Sequence, residues 1–131
     1  MVGDEFPTEL KQFIAQYIES LAQLEAMLLL HRDPQREWDC DELARELYIS
    51  ADMCGAIVLD LEKRRLAARN TDGSARFRYA SSNAEVDRVV AELAALYRDR
   101  RVAVITEIYS RPVKNVQTFA DAFRLRKEDL P

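Results

Sequence analysis

The chain has 131 residues, 48% hydrophobic and 32% charged, a globular balance at the length of one domain. Three glycines, four prolines and one histidine are too few for a turn-rich all-β chain, a glycine-cradled nucleotide site or a histidine-based metal or triad centre. The net charge of −4 is unevenly spread: residues 1–60 carry thirteen acids and four bases, whereas residues 61–80 carry six bases and two acids, one basic block suited to a small anionic contact.

Pro7 suits the first position of a helix, and Phe13, Ile14, Tyr17 and Ile18 recur at helical spacing, predicting a helix over 8–19. Ser20-Leu21-Ala22-Gln23 has the form of a capping box and opens a second helix with Leu24, Met27, Leu28 and His31 on its stripe, ended at Asp33-Pro34 because the residue before proline avoids helical angles. Glu37-Trp38 reads as a short extended piece, with Trp38 a core plug against the hairpin further on. Asp39 caps a helix over Cys40 to Leu47, with Glu42 at its third position. Tyr48-Ile49 makes a tight connection, and Ser50 caps a third core helix from Ala51 to about Arg64, with Cys54, Ile57, Val58 and Leu61 inward. The period then changes from helical to two. Leu66 to Asn70 and Ala75 to Tyr79 flank Thr71-Asp72-Gly73-Ser74, and Asp-Gly is a strong hairpin signal. With Asp72 and Gly73 central, Asn70 faces Ala75, Arg69 faces Arg76, Ala68 faces Phe77 and Leu66 faces Tyr79. Leu66, Ala68, Phe77 and Tyr79 then share one face, and Ala67, Arg69, Arg76 and Arg78 the other. Residues 83–109 read as one long helix of about 40 Å, capped at Ser82, with an apolar stripe interrupted at Arg100-Arg101. Arg111-Pro112 stops it, and 115–125 forms a short last helix bearing Val116, Phe119 and Phe123.

The order helix, short strand, helix, tight turn, helix, hairpin over about 21–80 resembles a winged helix-turn-helix domain. The residues that carry the likeness are Trp38-Asp39 at the entry, Asp41-Glu42-Leu43-Ala44-Arg45-Glu46-Leu47 for the second helix, Tyr48-Ile49-Ser50 for the turn and Leu61-Glu62-Lys63-Arg64-Arg65-Leu66 leading into the wing. With the flanking helices, the chain is similar to bacterial regulators of the multiple-antibiotic-resistance-regulator (MarR) type, and from Tyr97 to Lys127 to small uncharacterised proteobacterial winged-helix proteins. The expected fold is mainly α with a small β-hairpin: a winged helix-turn-helix core with N- and C-terminal flanking helices in a single domain, 1–131. The resemblance implies a regulator-like protein whose third core helix enters the major groove while the wing contacts phosphates or the minor groove.

The outward positions of that third helix are Ala51, Asp52, Met53, Gly55, Ala56, Leu59, Asp60 and Lys63. Base edges are read by Arg, Lys, Asn, Gln or Ser, and here only Lys63 qualifies. Gly55, costly in a helix interior, hints at a close approach by another group. Two readings of the surface therefore stand: double-stranded DNA held through Arg69, Arg76 and Arg78 of the wing, or a protein partner on the third helix. An effector sensor with a pocket between the winged core and the long helix is a third. His31 reads as structural. Arg64 and Arg65 read as complements to a helix dipole. Cys40 lies at a helix start, where a thiol can acidify towards a redox role. No catalytic constellation, metal site or cofactor is expected. Excess apolar surface on the terminal helices predicts a homodimer. No apolar run approaches the ~20 residues that span a bilayer, and the acidic start lacks a signal peptide's apolar stretch, so a cytoplasmic location is expected.

Overall fold

The computed structural model describes residues 6–70, 72–73 and 75–110; the expected Arg111-Pro112 stop and the helix at 115–125 lie outside the described residues. The elements are α1 (Thr8–Tyr17), α2 (Leu21–Arg32), α3 (Cys40–Leu47), α4 (Ala51–Lys63), β1 (Ala67–Arg69), β2 (Phe77–Tyr79), α5 (Ala84–Asp99) and α6 (Arg101–Ser110).

Local chemistry accounts for most of the boundaries. Pro7 sits at the N-cap, one position earlier than expected, and α1 ends at Ile18 in an extended conformation. α1 and α2 then meet at an angle of 107°. Ser20 Oγ accepts from the Gln23 amide, while Gln23 Oε1 accepts from the Glu19 amide at 2.6 Å, so the elbow is capped from both sides. Asp39 and Glu42 form a reciprocal capping box on α3. Tyr48 closes α3 in the left-handed region at φ 58°, and Ser50 Oγ accepts from the Met53 amide to start α4. Asn83, not Ser82, caps α5 by accepting from the Val86 amide.

One buried cluster unites the molecule. Leu24, Met27 and Leu30 of α2, Leu43 of α3, Val58 and Leu61 of α4, and Phe77 and Tyr79 of β2 are packed with Leu93 of α5 and Val104 and Ile108 of α6. Helices α1, α5 and α6 pack on one another, while α2, α3, α4 and the hairpin form the winged unit. Arg88 ties α5 to α1 at one edge by pairing with Glu9 of α1 and with Glu85 and Glu92 of its own helix. Trp38 is the core plug expected of it. It is 1% exposed and forms a two-bond bridge to Phe77, and the Arg36 guanidinium lies 3.5 Å over its ring.

Two expectations are corrected. The long helix is broken at Arg100, whose φ of −135° and ψ of 60° lie outside helical values. The break falls where the apolar stripe is interrupted, and α6 restarts beyond it with Val104 and Ile108 buried. The hairpin register also differs by one residue: Ala67 pairs with Tyr79, Ala68 with Arg78 and Arg69 with Phe77. The Asn70 amide donates to the Arg76 carbonyl at the hairpin end. Both Gly73 (φ 82°) and Ala75 (φ 58°) are left-handed, so the turn takes one residue more than a tight Asp-Gly turn and shifts every partner.

Candidate functional site

The register decides which wing side chains can act together. Ala67, Phe77 and Tyr79 turn inward and are buried, and Arg69 lies on that same face, opposite Phe77. Its guanidinium sits 5.5 Å from the Phe77 ring centroid and pairs with Glu62 at 3.1 Å. Leu66 is buried off the strand pattern because Arg65 before it is left-handed, at φ 63°. Arg78 projects from the other face, opposite Ala68, and is exposed with no ion-pair partner among the described residues. Arg76 reaches back to donate to the Glu37 carbonyl at 3.3 Å and lies 3.9 Å from Glu42. Arg69, Arg76 and Arg78 therefore do not form one strand face. Two are drawn into contacts within the chain, and Arg78 stands apart from them.

On α4, Ala51, Asp52, Met53, Ala56, Leu59 and Lys63 are exposed and Gly55 and Asp60 are half-buried, while Cys54, Val58 and Leu61 are buried. The expected outward face is the observed one except at Gly55 and Asp60, which are half-buried. The close approach expected at Gly55 is absent: a Cβ built there meets nothing within 4 Å. Between this face, the start of α3 and the wing runs a groove of about 430 Å³, lined by Gly55, Val58, Leu59 and Phe77 and by Asp39 and Asp41.

Sequence reasoning missed what holds α4. Asp60 is not free on the outward face, since its Oδ2 accepts from Gln23 Nε2 at 2.6 Å and from Arg64 Nε at 2.8 Å. Arg64 also pairs with Glu19 and donates to the Gln16 carbonyl. Gln23 is the buried polar side chain among the described residues, and this network ties α4 to the α1–α2 elbow. The spacing of Asp60 and Arg64 at i, i+4 was visible in the sequence, but the long-range partners were not.

A second concavity, of about 780 Å³, lies between α2, the end of α3 and α5, where the effector-sensor alternative would place its pocket. Leu28, Leu29, Leu47, Ala94 and Ala95 contribute apolar surface, and Arg32 and Arg98 stand at its edge with no ion-pair partner among the described residues. Tyr97 donates to Glu25 at 2.6 Å, and Arg101 pairs with the same carboxylate at 3.2 Å. Burial and then the Glu25 carboxylate push the Tyr97 hydroxyl up to about 12. His31 packs edge-on against Tyr79 at 5.0 Å, the structural placement expected.

The thiol expectation is reversed. Cys40 is raised above its ordinary value, by burial first and also by Asp39 and Asp41, although a hydrogen bond with Cys54 opposes the rise. Cys54 is pushed up to about 12 by burial and by Cys40. The desolvation and acidic neighbours at the start of α3 outweigh the helix dipole. Among the described residues no group of three or more His, Cys, Asp or Glu could hold a metal ion, and no single helix is long and apolar enough to cross a membrane.

No protein-family model matches the chain and no curated protein matches it. Solved structures do. The chain is similar to MepR, a transcription regulator of the Staphylococcus aureus multidrug efflux pump MepA, at a TM-score of 0.51 and 14% identity over 92% of this chain and 87% of that one. It is similar to a MarR family protein from Bacillus stearothermophilus at a TM-score of 0.50 and 20% identity, over 92% and 81% of the two chains. A MepR variant from S. aureus bound to an oligodeoxyribonucleotide matches at a TM-score of 0.51 and 14% identity, over 92% and 86%. At these identities the likeness is one of fold, and the chain has the MarR-like winged helix-turn-helix fold.

Proposed function

We propose that the chain is a non-enzymatic, transcription-regulator-like protein that acts as a homodimer and holds double-stranded DNA chiefly by its phosphates. The observation that carries this reading is Arg78, exposed on the outer face of the wing with no ion-pair partner among the described residues, in a fold shared with an oligodeoxyribonucleotide-bound regulator. The exposed Lys63 and Arg65 at the base of the wing add positive charge. Arg69 and Arg76 can add more by exchanging their ion pairs for phosphates, since exposed pairs of this kind contribute only about 0–1 kcal/mol. Before Lys63, α4 presents no Arg, Lys, Asn, Gln or Ser outward, so little discrimination between base sequences is expected. Val102 and Tyr109 of α6, 74% and 67% exposed, belong to the dimer face in this reading, with α1 and α5.

Fluorescence anisotropy of a labelled duplex tests the proposal. Wild type binds at about 50 mM salt, with nearly equal affinity for unrelated sequences. Arg78→Ala weakens binding to all of them alike and flattens the log–log salt dependence by about 2 per dimer, at roughly 0.9 for each phosphate that is no longer neutralised. Absence of duplex binding, or an unchanged slope in the variant, overturns the reading.

A further inference from the structure

The groove beside α4 has a make-up that neither the core nor a nucleic acid explains. Glycine is the least favourable ordinary residue in a helix interior apart from proline, yet nothing in the fold occupies the space that a side chain at Gly55 would take. That space opens into the groove between α4, the start of α3 and the wing. Leu59, which lines it, is 45% exposed. Asp52 and Leu59 stand about one turn to either side of Gly55 along the same side of the helix, and Asp52, like Asp41 across the groove, forms no ion pair or hydrogen bond among the described residues. The one cation lining the groove among the described residues, Arg69, is already paired with Glu62. An apolar channel with unpaired carboxylates at its margin repels phosphates and suits a cationic, apolar occupant.

We infer that this groove is a docking site for a helical protein segment carrying leucine- or methionine-like side chains flanked by lysine or arginine. Its apolar side chains lie over Gly55 and against Leu59 and Phe77, and its cations face Asp41 and Asp52. The inference stands apart from the DNA reading, which rests on the wing's outer face.

Two synthetic amphipathic helices of about 18 residues, five turns, test it on the full chain. One is built of leucine and lysine and the other of leucine and glutamate, and binding is followed by NMR of backbone amides and of leucine and valine methyls. The lysine peptide is expected to bind one-to-one and to move Gly55, Val58, Leu59 and Phe77, which line the groove, whereas the glutamate peptide leaves them in place. Gly55→Leu, which fills the groove, and Asp52→Lys, which reverses a marginal charge at an exposed position, each weaken the lysine peptide about tenfold or more, a difference of roughly 1.4 kcal/mol. Shifts elsewhere on the acidic N-terminal half, equal binding of both peptides, or affinity unchanged in both variants overturns the inference. If a duplex moves these four residues and the lysine peptide does not, the groove is a nucleic-acid surface; the docking inference then falls while the DNA reading stands. Peptide binding without duplex binding has the opposite meaning.

Discussion

Gly55 is held in a helix that would be more stable without it. Alanine exceeds glycine in helix interiors by about 1 kcal/mol, and the added methyl meets open space. Gly55→Ala is therefore expected to raise unfolding stability by about that amount in urea titrations, and a loss of stability would mean that the groove closes over this position. The two thiols make an opposite case, where a residue placed as if for reactivity is silenced by its surroundings. Cys54 is buried in the core and pushed up to about 12, and Cys40 is raised from its ordinary 9.0. A raised thiol value means fewer thiolates at any given pH below it, so reaction with a disulfide reagent at pH 8 is expected to run more than ~10-fold slower in the folded than in the urea-unfolded chain. Rates that match in the two states would contradict the placement. Helix position alone suggested an acidified Cys40. Its burial against Cys54 depends on how α3 and α4 pack, which single-residue reasoning does not see.

At the scale of elements, the network of Glu19, Gln23, Asp60 and Arg64 carries the most weight. It joins the α1–α2 elbow to the C-terminal half of α4, and so sets the angle at which the wing and α4 stand on the flanking helices. Asp60→Ala leaves the buried Gln23 amide without its acceptor, and a loss of about 1–3 kcal/mol is expected in chemical denaturation. A surface-like change below about 0.5 kcal/mol would show that the network adds nothing to stability. Helix starts were legible in the sequence because a side-chain oxygen three residues before its amide partner is a local signal: Ser20, Asp39 and Ser50 act as expected. The hairpin was legible as a hairpin but not in register, since the left-handed Ala75 that lengthens its loop has no marker comparable to Asp72-Gly73. The break at Arg100 was half visible, as a gap in the apolar stripe. That the helix breaks at this gap depends on how Val104 and Ile108 reach the core.

At the scale of the whole molecule, the order of elements and the buried faces of α2, α3 and α4 followed from periodicity and caps, so the winged fold was within reach of the sequence. The functional surface was only partly so. The outward face of α4 followed from burial of Cys54, Val58 and Leu61, except at Asp60, which Gln23 and Arg64 hold, whereas the three-arginine wing face dissolved with the register, leaving Arg78. The proposed dimer presents two winged units to one duplex. Its two α4 helices are then expected about 34 Å apart, one turn of DNA. The most direct measurement is the distance between nitroxide labels on Asp52→Cys in the two protomers, by pulsed dipolar electron resonance, with wild type as control for the raised native thiols. A single distribution centred near that spacing and sharpened by added duplex is expected. No intermolecular distance, together with a 15.1 kDa species by light scattering at tens of micromolar, or two α4 helices turned away from a common face, would contradict it.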